Sequence, residues 1–189
     1  MTKKYYPLIC LPLLILLLLP YYTYASSLTL NAPAQVYFSP NGGTTQAIIK
    51  EISDARSEIL VQAYSFTSSP IAKALVDANK RGVKVEVILD KSQRKDSYTE
   101  ATFLSNMKIP TYIDSKHAIA HNKVIVIDKT TVITGSFNFT KAAENSNAEN
   151  LLIIKSKDLA KLYLDNWGEH REHSEDYQRK QTASAKKKP

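Results

Sequence analysis

Two residues of complementary chemistry stand close together in the second half of the chain. His121 and Lys123 are separated by one residue, where the apolar run Val124 to Ile127 begins. Because alternate side chains of a β-strand share one face, the imidazole and the ammonium group are expected to project the same way. This arrangement suits attack on an anionic substrate, because the cation holds the substrate while the imidazole acts as nucleophile.

Uncharged hydrogen-bonding side chains follow at the same spacing after the neighbouring predicted strand. Ser136 and Asn138 are also two residues apart, directly after Gly135. Their hydroxyl and amide groups are therefore expected to project toward one place. Neutral donors beside a cation suit the non-bridging oxygens of a phosphate, so the pattern indicates phosphoryl chemistry.

These residues resemble the signature of the phospholipase D superfamily, which is His-x-Lys, then Asp after four residues, then Gly-Ser-x-Asn. The matching positions in this chain are His121, Lys123, Asp128, Gly135, Ser136 and Asn138. Glu149 matches the acidic residue that follows in the short members. The stretches 63–67, 81–83 and 135–140 also resemble the short secreted Nuc-type endonucleases, so the resemblance extends beyond the motif to nearly the whole mature chain.

The resemblance implies phosphodiester cleavage in two steps, with no metal and no other cofactor. One histidine attacks phosphorus and forms a phosphohistidine, and a second protonates the leaving oxygen and then activates water. The implied catalytic residues are His121, Lys123 and Glu149, the last fixing the tautomer of an imidazole. The implied phosphate-binding residues are Lys123, Ser136 and Asn138. Asp128 and Gly135 are expected to be structural parts of the motif.

The number of motifs bears on the oligomeric state. The two-step mechanism needs two histidine–lysine pairs, and this chain carries one such motif. The sequence therefore predicts a homodimer with two-fold symmetry, in which the two copies of His121 meet across the axis.

Three functions remain open. A nonspecific endonuclease for DNA or RNA needs only to bind backbone phosphates, which a neutral body with local basic loops allows. A phospholipase D acting on phospholipid head groups uses the same phosphoryl chemistry, but an apolar rim or interfacial helix would favour it, and no obvious candidate is seen. A non-catalytic module that binds nucleic acid or lipid is the third, and the intact His121 and Lys123 argue against it.

Other polar residues receive less specific interpretations. His117 is expected to be a loop residue near the mouth of the site, with a substrate contact as the alternative. His170 and His173 lie three residues apart on a polar helix, a spacing that can bind a metal. No constellation of carboxylates or thiolates accompanies them, so a solvated helix face is predicted and no metal site. The basic loop 91–95 is either solvated or in contact with phosphate, and Tyr64 could line the cleft.

Strands and helices alternate in the part of the chain that precedes the motif. Strands are predicted at 35–38, 59–64, 83–89 and 109–113, and helices at 44–55, 69–81 and 98–107. Three short strands follow at 124–127, 132–134 and 151–154, and a last helix begins near Ser156. This order predicts an α/β layered sandwich with a mixed, mostly parallel sheet flanked by helices.

The two ends of the chain differ from its body. Residues 1–25 have a short basic start, an apolar run from Leu8 to Leu19 and the small residue Ala25, the layout of a secretory signal peptide. An uncleaved anchor is the alternative. Cys10, the only cysteine, lies in this segment, so the mature chain is expected to have neither disulfides nor thiol chemistry. The sequence therefore predicts an exported protein, periplasmic or secreted.

The net charge of +7 arises from these ends. Two lysines lie in the first 25 residues and five basic residues in 179–189, so the predicted catalytic domain, 26–178, is neutral. The segment 179–189 is predicted to be a disordered tail, which is either simply solvated or a weak electrostatic tether to nucleic acid or anionic lipid.

Overall fold

The computed structural model describes residues 27–177, so the predicted signal peptide and the basic tail lie outside the described residues. Within this range the chain forms one eight-stranded sheet, in the order β1-β7-β6-β5-β2-β3-β4-β8. The strands are β1 (Ala34–Ser39), β2 (Glu58–Ala63), β3 (Lys84–Asp90), β4 (Thr111–Asp114), β5 (Lys123–Ile127), β6 (Thr131–Gly135), β7 (Glu149–Lys155) and β8 (Glu175–Asp176). The helices are α1 (Thr44–Asp54), α2 (Ser69–Lys80), α3 (Ala101–Asn106), α4 (Lys141–Asn145) and α5 (Lys157–His173), with a 3₁₀ turn at Lys91–Arg94.

The α/β class and the mixed sheet flanked by helices are confirmed, but the sheet is not mostly parallel. Parallel pairing joins β2 to β3 and β3 to β4. The pairs β1–β7, β2–β5, β4–β8, β5–β6 and β6–β7 are antiparallel. Alternating strands and helices predict parallel neighbours, whereas β1 lies at the far edge beside β7, and β5 to β7 follow one another as an antiparallel meander.

Helices cover the two faces of the sheet unequally. The larger core packs α1 and α2 on one face, where Ile48 and Ile52 are fully buried. Their four-residue spacing places them on one side of α1. On the other face, Trp167 of α5 packs against Leu60 and Ile88. The indole nitrogen of Trp167 also donates a hydrogen bond to the carbonyl oxygen of Val61 at 3.2 Å, which fixes α5 over the centre of the sheet.

Local hydrogen bonds explain why α3 is shorter than predicted. The carboxylate of Asp96 accepts a hydrogen bond from the backbone nitrogen of Tyr98 at 2.8 Å, and the hydroxyl of Thr99 accepts one from Ala101. Such side-chain bonds compete with helical ones, so α3 begins at Ala101 rather than at Tyr98. No helix within 27–177 has the length and apolar character needed to cross a membrane.

The strand register brings the motif to one end of the sheet. β5 begins at Lys123, which pairs with Ala63 at the end of β2. β6 ends at Gly135, which pairs with Leu151 near the start of β7. Residues that precede β5, follow β6 and begin β7 therefore lie at the same end.

Candidate active site

His121 and Lys123 form a close pair at this end of the sheet. Nζ of Lys123 lies 3.0 Å from Nδ1 of His121 and donates a hydrogen bond to the backbone carbonyl oxygen of His121 at 2.8 Å. Lys123 is buried at 6% exposure, whereas His121 is exposed. The pair thus presents an accessible imidazole beside a cation that is largely shielded from water.

The aromatic ring of Tyr64 forms a wall against both members of the pair. Its centroid lies 4.5 Å from that of the His121 imidazole, and Nζ of Lys123 lies 5.2 Å from the Tyr64 ring. The backbone nitrogen of Tyr64 donates a hydrogen bond to Asn122 at 2.8 Å, which fixes this residue beside the start of β5. A cation over an aromatic face is attracted by its negative potential, so Tyr64 helps to position the ammonium group.

Burial and a neighbouring carboxylate act in opposite directions on Lys123. Burial lowers the pKa of Lys123 below its ordinary value, because it penalises the charged form, and the negative charge of Glu149 offsets part of this effect. An ammonium group with few water contacts interacts strongly with an arriving anion. Lys123 is therefore suited to bind a phosphate group.

Ser136 and Glu149 form a second polar group. The hydroxyl of Ser136 donates to one carboxylate oxygen of Glu149 at 2.6 Å, and Asn147 donates to the other at 3.0 Å. The hydroxyl of Ser136 also accepts a hydrogen bond from the backbone nitrogen of Asn150 at 3.0 Å. Asn150 was not among the residues singled out from the sequence, and only the β6–β7 pairing brings it here.

The predicted bond from Glu149 to an imidazole is absent from the contacts within residues 27–177 of one chain. Both of its carboxylate oxygens are taken by Ser136 and Asn147. Nδ1 of His121 instead faces Lys123. The structure thus brings Glu149 to the same end of the sheet as His121 but does not join the two.

Gly135 and Asn138 flank Ser136 in the motif. Gly135 has a φ of 152°, and a Cβ atom at this position would overlap the carbonyl oxygen of Asn150. Only glycine therefore lets β6 approach β7 this closely. The side chain of Asn138 has a buried amide oxygen that finds no hydrogen-bond partner among the described residues.

Asp128 lies at the opposite end of β5 from His121. Its carboxylate accepts backbone hydrogen bonds from Ser57 at 2.7 Å, Arg56 at 2.9 Å and Glu58 at 3.1 Å. Burial alone would raise the pKa of Asp128, but these bonds, with that from the Ser57 hydroxyl, lower it below its ordinary value. The residue thus holds the turn before β2 and does not reach the His121 pair.

The predicted solvated face at His170 and His173 is wrong. Their side chains are 12% and 20% exposed, and both face the fully buried carboxylate of Asp114. His117 faces the same carboxylate and so is not merely a loop residue at the mouth of the site. The only local indication of this cluster was the three-residue spacing of His170 and His173. Asp114 and His170 are 56 positions apart and meet only where the end of α5 reaches β4.

The basic loop after β3 is partly engaged within the chain. Nζ of Lys91 donates to the carbonyl oxygen of His117 at 2.9 Å, and the guanidinium group of Arg94 pairs with Glu175 at 2.7 Å. These two cations are therefore only partly available for a contact with phosphate.

A family model described as "Cardiolipin synthase, PLD-like domain" matches residues 48–170. The chain belongs to the phospholipase D-like family. A relative named phospholipase D, from Rickettsia typhi (strain ATCC VR-144 / Wilmington), is 47% identical over 130 residues, which are 69% of this chain and 64% of that protein. The match thus spans less than two thirds of the relative's length.

Two solved structures share this fold. Nuc from Salmonella typhimurium, described as a phospholipase D family member, superposes with a TM-score of 0.74 and 40% identity, covering 77% of this chain and 98% of that chain. NucT from Helicobacter pylori superposes with a TM-score of 0.70 over 77% of this chain and 99% of that chain, and its 24% identity supports the fold alone. The resemblance drawn from the motif is confirmed, and it places the chain in a superfamily of phosphodiester hydrolases.

Proposed function

We propose that this chain is a metal-independent phosphodiesterase that acts as a nonspecific endonuclease on DNA or RNA. His121 attacks phosphorus, the bond from phosphorus to the leaving oxygen breaks, and a phosphohistidine forms. The leaving oxygen takes a proton from His121 of the partner subunit. That second imidazole then accepts a proton from water, which attacks phosphorus and releases His121.

One observation carries this proposal: the exposed imidazole of His121 lies 3.0 Å from the buried ammonium group of Lys123. A phosphate that reaches the imidazole also meets the cation, which neutralises charge that builds up on the phosphoryl oxygens. Ser136 and Asn138 follow the adjacent strand end and are proposed to donate to the same oxygens.

The site is proposed to be completed by a second copy of the chain. Each chain brings one histidine–lysine pair. Nε2 of His121 can attack only when the ring proton is on Nδ1, and Nδ1 must then turn from the ammonium group of Lys123, which has only donors, toward an acceptor. A carboxylate that accepts this proton in a hydrogen bond would set that tautomer. Glu149 does not do so within residues 27–177 of one chain, so we assign this role to Glu149 of the partner subunit.

Exposed apolar side chains near the motif support a dimer interface. Ile119 precedes His121 by two residues and is 59% exposed, and Phe38, which pairs with Asn150 in the sheet, is 67% exposed. A second copy would remove both from water. In Ile119→Asp and Phe38→Asp, light scattering should show monomers and the rate of cleavage should fall. Wild-type protein that is monomeric and fully active would contradict the dimer.

Nucleic acid is favoured as substrate by the polar character of the immediate surroundings. Asn122, Asn147 and Asn150 lie around the motif, and Asn147 and Asn150 are exposed. Such a surface suits a phosphate backbone that is bound without base contacts. The resemblance to Nuc-type endonucleases over 63–67, 81–83 and 135–140 points the same way.

Phospholipid hydrolysis is the second candidate. The Rickettsia typhi relative is named phospholipase D. The exposed Ile119 and Phe38 could also contact acyl chains, as an apolar rim does at a membrane surface. This candidate predicts that substitutions at these two positions weaken vesicle binding rather than dimerisation.

A parallel substrate assay separates these functions. The purified chain is incubated with plasmid DNA, RNA and phosphatidylcholine vesicles in the presence of a chelator, while circular dichroism checks that the protein remains folded. We expect both nucleic acids to be cleaved and the His121→Ala variant to be inactive. Lipid hydrolysis without cleavage of nucleic acid would reject the endonuclease. Cleavage that chelation abolishes and that added magnesium restores would reject metal independence.

Export is part of the proposal, because a nonspecific nuclease in contact with the cell's own nucleic acid would damage it. The predicted signal peptide supports it. In an expressing bacterium, we expect the protein outside the cytoplasm with an N-terminus at Ser26. A full-length chain in the cytoplasmic fraction would contradict export.

A further inference from the structure

Three imidazole rings converge on one carboxylate oxygen away from the His121 pair. Oδ2 of Asp114 lies 2.7 Å from Nδ1 of His170, 2.9 Å from Nδ1 of His117 and 3.3 Å from Nε2 of His173. The four candidate ligand atoms all lie within 4.8 Å of one another. In a tetrahedral zinc site with bonds of about 2.0–2.2 Å, the ligand atoms are about 3.3–3.5 Å apart. Small side-chain rotations therefore suffice to enclose an ion.

Hydrogen bonding alone accounts poorly for this convergence. A carboxylate oxygen has two lone pairs, so it cannot fully satisfy three imidazole nitrogens. Nε2 of His173 is buried and has no hydrogen-bond partner of good geometry among the described residues, although it points at Oδ2 of Asp114. A buried nitrogen left unpaired costs free energy. A cation between the nitrogens and the carboxylate would supply the missing partner.

The surroundings also favour a cation. The other carboxylate oxygen of Asp114 accepts a hydrogen bond from the backbone nitrogen of Lys116 at 3.1 Å, which holds the carboxylate in one orientation. Glu169 and Glu172 line the open concavity above the histidines. Their negative charge attracts an entering metal ion.

We propose that Asp114, His117, His170 and His173 bind one zinc ion. Three neutral imidazoles and one carboxylate form the nitrogen and oxygen ligand set that zinc accepts in tetrahedral coordination. With four ligands from the protein the site is closed, so the ion is structural and takes no part in the chemistry at His121.

The position of the site gives the ion a defined task. Asp114 ends β4, and both His117 and His121 lie in the segment 115–122 that connects β4 to β5. His170 and His173 lie in the last turn of α5. The bound ion therefore ties the segment 115–122, which carries the catalytic imidazole, to α5. This helix packs on the face of the sheet opposite α1 and α2.

Metal content tests this directly. The full chain is produced without a polyhistidine tag, stripped with a chelator, dialysed and titrated with zinc or cobalt(II). We expect one zinc per chain by elemental analysis, a visible cobalt(II) spectrum of tetrahedral type, and a higher Tm with zinc. Wild-type protein that retains no zinc after gel filtration would overturn the proposal.

Matched variants locate the ion. His173→Ala and His117→Ala should bind zinc at least about a hundredfold more weakly, since loss of even an outer partner costs tenfold to a hundredfold. His121→Ala, which removes a histidine outside the cluster, and Asp165→Asn, at an exposed position of α5 outside the concavity, should bind zinc as the wild type does. Equal affinity in wild type and a folded His173→Ala protein would overturn the proposal.

Hydrogen exchange tests the task. Zinc should slow amide exchange in 115–122 in the wild type but not in His173→Ala. Exchange in this segment that zinc leaves unchanged in the wild type would show that the ion does not fasten it. None of these measurements uses a substrate, so they stand whether or not the chain proves to be an endonuclease.

Discussion

Nδ1 of His121 and Nζ of Lys123 lie 3.0 Å apart where β5 begins. The two groups differ in exposure, because the imidazole faces solvent while the lysine is buried beneath it and beside Tyr64. This difference separates their roles, since the accessible ring can attack and the shielded cation can hold charge.

Replacing Lys123 with methionine should separate activity from stability. In Lys123→Met we expect kcat/KM to fall by about a hundredfold or more, because a cation facing the developing charge is lost. The Tm should stay the same or rise, because a buried charge is replaced by an apolar side chain of similar length. Lys73→Met, at an exposed position of α2, is the matched control and should keep the wild-type kcat/KM and Tm. Undiminished kcat/KM in Lys123→Met would contradict the assigned role.

The charge of Glu149 should set the alkaline limit of activity. Its negative charge raises the pKa of Lys123, against the larger lowering effect of burial. In Glu149→Gln the pKa of Lys123 should therefore fall further, and the alkaline limb of the kcat/KM profile should move to lower pH. Asp54→Asn removes a carboxylate from the exposed pair with Lys50 and should leave that limb in place. A limb that moves to higher pH would contradict the account.

Gly135 should tolerate no side chain. In Gly135→Ala the new methyl group would meet the backbone carbonyl of Asn150, so β6 and β7 must separate. We expect a loss of about 1–3 kcal/mol in the free energy of unfolding. Gly168→Ala has open space around the added methyl group and should instead stabilise α5 by about 0.5–1 kcal/mol. Urea unfolding measures both, and equal effects would refute the steric argument.

Asp128 should contribute to stability rather than to the reaction. Its folded-state pKa is lowered, so its charge stabilises the fold above the unfolded carboxyl pKa of about 3.9, and this contribution is lost as pH falls through the folded-state pKa. Asp128→Asn should cost about 1–3 kcal/mol at neutral pH. The difference from wild type should shrink in acid. Cleavage at neutral pH should continue at the wild-type rate, and a large loss in a folded variant would place Asp128 in the reaction.

The elements nearest the motif were predictable because their signals are local. Short apolar runs of Val and Ile predict β5 and β6, and the two-residue spacing places Lys123 at the first residue of β5 and His121 two residues before it. The family signature likewise rests on short spacings, so it could be read without a structure.

The features that could not be predicted from the sequence depend on contacts between distant segments. The antiparallel place of β1 beside β7 depends on how the sheet closes at its edge, which the βα order does not encode. Asp114 meets His170 only because α5 crosses the sheet and ends above β4. The resemblance to the family was enough to assign Glu149 to the site. Its hydrogen bonds with Ser136 and Asn147 could not be predicted, because they follow from the β6–β7 pairing and not from sequence spacing.

The covalent step at His121 is the central claim, and trapping the intermediate tests it most directly. The protein is mixed with a slowly hydrolysed phosphodiester, quenched in alkali because phosphohistidine is labile in acid, digested and analysed by mass spectrometry. The account predicts a phosphoryl adduct on the peptide that contains His121 and none in His121→Asn. Turnover that leaves His121 unmodified, together with an active His121→Asn variant, would contradict it.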